Sequence, residues 1–178
     1  LYAVTRDGDV LAAAQEGIAY EDSVLVREAG NWPDLRTDEQ PAFMTSWCHG
    51  APGIALGRLG GLAVLDSDDI RRDIEMAVQT TRAAGTQGVD HLCCGSLGRA
   101  DILLVAASKL SRPDLAKVAS TWAWQVVARA EESGTFTLHL LLPKGVSSPG
   151  FFQGTAGIGY ELLRIAHPEM LPSVLLWE

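Results

Sequence analysis

The sequence predicts an all-α protein built from repeated helix pairs arranged in two layers. One observation is a recurring frame, seen as Trp47-Cys48-His49-Gly50-x-x-Gly53, Leu92-Cys93-Cys94-Gly95-x-x-Gly98 and Phe151-Phe152-Gln153-Gly154-x-x-Gly157. Each copy opens an apolar run of helical length, and the copies recur every 45 to 60 residues or so, the spacing of a helical array. A second observation is that an amphipathic segment with a charged outer face lies between the frames. Apolar helices alternating with amphipathic ones call for a buried inner layer and a half-exposed outer layer, closing toward a ring.

Asp9 to Val26 reads as the first helix, with Val10, Ala14, Ile18 and Leu25 near one stripe and Gln15, Glu16, Glu21 and Asp22 off it. Gly30-Asn31-Trp32-Pro33-Asp34 stops it, and Trp32 is expected to pin the loop to the body. Residues 34 to 42 are polar and loop-like. The first frame then leads into a short apolar helix, Ile54 to Leu59.

Asp66-Ser67-Asp68-Asp69 is a helix start, because side-chain oxygens and negative charge suit the unpaired amides of a first turn. Ile70, Ile74, Ala77, Val78 and Thr81 share one face of that helix, which ends at Ala84-Gly85. The second frame leads into an almost wholly apolar helix from about Arg99 to Leu110. Ser111-Arg112-Pro113-Asp114 starts an amphipathic one, with Leu115, Val118, Ala119, Trp122 and Val126 on a face and Gly134 closing it. Phe136 to Leu142 is strand-like and bounded by Pro143. Tyr160 to Ala166 forms the third apolar helix, stopped at His167-Pro168, and Leu175-Leu176-Trp177 is apolar enough to dock on the body.

At 178 residues and 47% hydrophobic content the chain can bury a sizeable core, so disorder is excluded as its general state. A net charge of −8 with no basic run argues against nucleic acid or an anionic membrane surface as partner. No signal peptide and no bilayer-spanning apolar stretch is present. Three cysteines cannot all pair with one another, which fits a reducing, cytoplasmic compartment. The chain begins with leucine and reads as a fragment.

All three cysteines sit in the first two frames. Thiols placed in copies of one local motif suit a soft metal, and zinc takes thiolates readily. Four protein ligands would make a structural site, whereas three leave a position open for chemistry. Taken singly, each cysteine would pass for a small buried hydrophobe. In a ring whose inner helices run the same way, the Gly-rich starts gather at one end. Neighbouring inner helices pack about 8–10 Å apart, so Cys48 and Cys93 or Cys94 can reach one ion.

Trp-Cys-x-Gly-x-Pro-Gly at 47–53, Cys-Cys-Gly at 93–95 and Gly-Thr-Ala-Gly-Ile-Gly-Tyr at 154–160 resemble the lanthionine synthetase C-like cyclases. The Cys-Cys-Gly form and the closing Leu171-Pro172-Ser173-Val174-Leu175-Leu176-Trp177 are similar to the cyclase domain of the bifunctional class II lanthipeptide synthetases. The resemblance runs from about Trp32 to the carboxyl terminus. It implies an α/α toroid of seven helix pairs, of which residues 1–178 would be the carboxyl-terminal half, with zinc held by Cys48, Cys93 and Cys94. It implies addition of a peptide cysteine thiol to a dehydrated serine or threonine. The partners would then be a lanthipeptide precursor and the upstream part of the same synthetase, and the fragment alone is expected to associate into oligomers.

Such chemistry needs a metal to replace the thiol proton, and an acid to protonate the enolate formed on addition. His49 and His91 flank the ligands and are the local candidates for that acid, with a packed or ligand-orienting role the alternative for each. Gln153 holds the ligand position of the third frame and is expected to line the pocket or fill space. The family's Ala-His-Gly repeat, which supplies an acid/base histidine, is not in this chain, nor is the aspartate of a still earlier repeat. Two other functions fit the same thiols. One is a binding module with a purely structural zinc, and the other is a protein that binds thiols such as glutathione without cyclase activity.

Overall fold

The computed structural model describes residues 1–36, 42–139 and 147–177. Among these the regular structure is helical: α1 (Tyr2–Thr5), α2 (Gly8–Val24), α3 (Ala51–Gly61), α4 (Asp68–Ala84), α5 (Ser96–Lys109), α6 (Pro113–Ser133) and α7 (Thr155–Ala166). Sequence chemistry sets the ends. Asp7 caps α2 by accepting the Asp9 amide, and Ser67 caps α4 by accepting the Ile70 amide. Pro113 occupies the first turn of α6, where its missing N–H costs nothing, and Gly134 takes a left-handed conformation just beyond the last turn.

The three apolar helices α3, α5 and α7 form the inner layer, with α4 and α6 packed outside them. α5 is the centre: every residue from Ser96 to Ala107 is buried. The outer helices bury the faces expected of them. Ile70, Ile74, Ala77, Val78 and Thr81 are buried on α4, and Leu115, Ala119, Trp122 and Val126 on α6. Trp32 is buried in the main core and pins its loop as expected. α2 buries none of its residues fully, although Ile18 and Val24 pack against the core. It is held instead by ion pairs from Glu21 and Asp22 to Arg58 of α3, at 2.6 and 3.2 Å.

The apolar helices start earlier than periodicity indicates. α3 begins at Ala51 rather than Ile54, α5 at Ser96 rather than Arg99, and α7 at Thr155 rather than Tyr160. In each frame the first glycine is the N-cap and the second is the third helical residue, so the Gly-x-x-Gly motif is itself the first turn. The second glycine is required by close approach. A Cβ on Gly98 would meet the Leu92 carbonyl, one on Gly53 the Trp47 carbonyl, and one on Gly157 the Phe151 carbonyl. Each time the obstructing group lies six residues back, so the frames are one structural repeat and not only a pattern of letters.

The strand-like run is not a strand where it is described. Residues 136–139 belong to no strand, and 140–142 lie outside the described residues. Leu138 turns into a small second core while Thr137 pairs with a loop aspartate: the Asp90 amide donates to the Thr137 carbonyl and the Thr137 amide to Asp90 Oδ2, both at 2.8 Å. The alternation reflects a segment lying half-buried over α6, not membership of a ladder.

Candidate metal centre

The frames deliver their side chains to one end of the inner layer. The Cys93 amide donates to the Phe152 carbonyl at 2.9 Å, and the Trp47 and Phe152 rings stack with centroids 5.6 Å apart at 5°. These contacts join the starts of α3, α5 and α7. Cys48, Cys93 and Cys94 thereby place their sulfurs within 4.8 Å of one another. Cys48 Sγ lies 3.5 Å from Cys94 Sγ, which lies 3.4 Å from Cys93 Sγ. Zinc–sulfur bonds of about 2.3 Å in a tetrahedron put the sulfurs about 3.8 Å apart, and both distances from Cys94 Sγ are within a few tenths of an ångström of that. Both Cys93 and Cys94 stand close enough to Cys48 to share an ion with it.

The electrostatics also fit a cation. Burial raises the Cys48 thiol, but hydrogen bonds involving Ser46, His49, Cys94 and Cys93 outweigh it and bring the group down to about 7. Burial pushes Cys93 up, against hydrogen bonds from Cys94 and Gln153 that favour its thiolate. Burial, and then the neighbouring cysteines, push Cys94 up as well. One thiolate is accommodated and two further ones are opposed, by burial first and then by the neighbouring sulfurs, an opposition that a bound divalent ion would remove.

Two residues that periodicity passed over hold the ligand loops in place. Arg99, 6% exposed, donates from Nη1 to the carbonyls of Thr45 and Cys94 at 3.2 and 3.4 Å. Its Nε reaches the Gly85 carbonyl at 3.1 Å and its Nη2 the Gln87 carbonyl at 2.9 Å. One guanidinium therefore ties the Cys48 loop to the Cys94 turn. Asn31 accepts the first amide of α3, that of Ala51, at 2.7 Å, and donates to the Met44 carbonyl at 3.1 Å. It supplies the cap that Gly50 has no side chain to provide. The available signal was a lone arginine opening an apolar helix, and an asparagine in a stretch that otherwise reads as a stop.

The two histidines differ in setting. His91 is 3% exposed, its Nδ1 accepts the Cys94 amide at 3.4 Å, and burial lowers its pKa. His49 lines a cleft of about 670 Å³ together with Cys48, and its Nδ1 is buried without a hydrogen-bond partner among the described residues. Neither histidine joins the ligand cluster among the described residues. Gln153 of the third frame is exposed, so it does not fill space, and its side chain favours the Cys93 thiolate.

A family model described as lanthionine synthetase C-like protein matches residues 1–176. The chain belongs to the lanthionine synthetase C-like family. The all-helical two-layer arc is that family's helical toroid in part, and membership points to lanthionine synthetase-type activity on a peptide substrate. The three-cysteine cluster of this lanthionine synthetase C-like protein has the donor set of a metal site. No helix among the described residues is long and apolar enough to cross a membrane.

Proposed function

We propose that this chain is the zinc-binding part of a lanthionine cyclase, most like the cyclase domain of class II synthetases. It would join a peptide cysteine to dehydroalanine or dehydrobutyrine, forming (methyl)lanthionine thioether rings. The observation that carries this is the meeting of Cys48, Cys93 and Cys94 at the mouth of an open cleft, with no fourth side-chain ligand in the cluster among the described residues. Zinc bound by these three thiols would supply Lewis acidity that keeps a fourth, substrate thiol deprotonated at neutral pH.

The rest of the chemistry falls to the protein's own side chains. Addition of sulfur to the β-carbon leaves an enolate whose α-carbon must receive a proton. His49 stands on the cleft side of Cys48 and is the residue we assign to hold or deliver that proton. His91 has Nδ1 occupied by the Cys94 amide, so only Nε2 is free for proton work, and its main part is to fix the ligand turn. We place residues 1–178 at the carboxyl-terminal end of the cyclase domain, with upstream helices of the same cytoplasmic synthetase completing the ring and a lanthipeptide precursor as substrate.

Metal analysis tests the reading. Purified protein should hold about one zinc per chain, and Cys48→Ala, Cys93→Ala and Cys94→Ala should each reduce occupancy sharply. In cobalt-loaded protein an added small thiol should strengthen the sulfur-to-metal charge-transfer band, and His49→Ala should preserve that response. Absence of a thiol response together with metal loss in His49→Ala would identify a closed structural site and end the cyclase assignment.

A further inference from the structure

The three thiols have a second chemistry open to them. Cys94 is the middle sulfur of the cluster, 3.5 Å from Cys48 Sγ and 3.4 Å from Cys93 Sγ. A disulfide bond is about 2.05 Å long, so either neighbour is one short movement from bridging to it. The two bridges are not equivalent. Adjacent residues across a trans peptide have Cα atoms about 3.8 Å apart, below the span of about 4.4–6.8 Å that disulfides usually take. Closing Cys93 on Cys94 would therefore distort a turn whose amides are both engaged, Cys93 with the Phe152 carbonyl at 2.9 Å and Cys94 with His91 Nδ1 at 3.4 Å. Cys48 lies 46 residues from Cys94 in the chain, and no shared peptide fixes the distance between their backbones. Their two segments are held together without any metal. Arg99 Nη1 donates to the carbonyls of Thr45 and Cys94 at 3.2 and 3.4 Å, and the Asn31 side chain joins Met44 to Ala51 on either side of Cys48. Access differs as well: Cys48 is exposed, whereas Cys93 and Cys94 are half-buried.

We propose that Cys48 is a site of oxidation by hydroperoxides, and that Cys94 then closes on it in a disulfide that excludes the metal. In the first step the Cys48 sulfur attacks the peroxide and its O–O bond breaks. Cys48 becomes a sulfenic acid, and the leaving oxygen takes the thiol proton and departs as an alcohol, or as water from hydrogen peroxide. In the second step the Cys94 sulfur attacks the Cys48 sulfur, the S–S bond forms, and the hydroxyl leaves with the Cys94 proton as water. Two thiols are oxidised and one peroxide is reduced, with no further reactant. The bridge removes two donors and leaves Cys93 as the lone member of the cluster, too few to hold zinc. Zinc spaces its sulfurs about 3.8 Å apart and a disulfide draws them to about 2.05 Å, so bound metal and bridge are exclusive states of the same two residues. A dithiol reopens the bridge by thiol–disulfide exchange. The switch rests on the thiol cluster alone and holds whether the metal serves a cyclase or only the fold.

The test treats full-length protein, as purified, with hydrogen peroxide. A chromogenic chelator follows zinc release, and mass spectrometry of an alkylated, non-reduced digest reads which sulfurs are joined. The expected result is a Cys48–Cys94 pair with Cys93 alkylated, one zinc released per bridge, and zinc binding restored by dithiothreitol. Cys93→Ala keeps both partners and should form the same bridge. Cys94→Ala removes the closing thiol, so dimedone should trap a sulfenic acid on Cys48. A Cys93–Cys94 pair in the wild type would overturn the switch, as would dimedone on Cys93 rather than Cys48 in Cys94→Ala. Bridged protein that still holds zinc would overturn it too, because the two states would then coexist. Zinc measured before peroxide is added tests the metal reading separately, since the bridge is read by mass with or without an ion.

Discussion

The same substitution, glycine to alanine, should have opposite effects at Gly98 and at Gly57. At Gly98 the new Cβ would sit 2.9 Å from the Leu92 carbonyl carbon and nearer still to its oxygen. Carbon contacts are optimal at about 3.5–4.0 Å, so the start of α5 would have to back away by about 1 Å. Both obstructing atoms are backbone and α5 is buried on all sides, so neither partner yields easily. Overpacking of this kind costs about 1–3 kcal/mol, here at the upper end, and the gain in helix propensity returns at most about 1 kcal/mol. A net loss of about 2 kcal/mol lowers Tm by about 4–8 °C in a protein of this size. Cys93 and Cys94 lie between Leu92 and Gly98, so the same displacement should reduce zinc retention against a chelator. At Gly57 nothing obstructs the methyl, and the variant should gain about 0.5–1 kcal/mol with unchanged zinc retention. Thermal unfolding of the two variants side by side, with zinc measured before and after chelator challenge, checks the pair. A Gly98→Ala protein as stable and as zinc-retentive as wild type would refute the close-approach account of the repeated frame.

Arg99→Lys cannot reproduce the fork of donors to the carbonyls around it, so it should lose about 3 kcal/mol and release zinc faster; unchanged metal kinetics would remove Arg99 from the support of the site. His91→Ala leaves the Cys94 amide without its acceptor and should cost about 1–2 kcal/mol, with weaker zinc binding read by chelator competition and partial rescue by His91→Asn. Glu161 is fully buried, neither of its carboxylate oxygens has a hydrogen bond among the described residues, and burial and then Asp101 raise its pKa well above the ordinary value, against Arg164. Because the folded value is the higher one, its contribution to stability is present below about pH 4.3 and is lost as pH rises toward the folded value, by at most about 1.4 kcal/mol per pH unit. Glu161→Gln should abolish that loss, so denaturant unfolding from pH 5 to 8 should favour the variant increasingly; a difference independent of pH would show that Glu161 is ionised in the folded protein.

The sequence by itself determined the helical class and the alternation of layers, and it marked the three cysteines as one motif-borne set. Burial patterns such as Ile70, Ile74, Ala77, Val78 and Thr81 on α4 are local, because helical spacing alone puts them on one face. The repeated frame was legible for the same reason: its constraint, a glycine against a carbonyl six residues back, is contained within one turn. Tertiary structure decided what depends on residues far apart. Asn31 reads as part of a helix stop, yet it caps α3 from twenty residues away, because Gly50 has no side chain for the task. Arg99 looks like the polar edge of an apolar helix, yet its donors join loops from Thr45 to Cys94, which only packing brings together. Phe136 to His139 has a strand's alternation but, among the described residues, no neighbouring strand to pair with, and pairing is a property of two segments. Whether both adjacent cysteines could reach Cys48 also lay beyond spacing: it depends on the turn before α5, which His91 holds from inside and the Phe152 carbonyl from the next repeat.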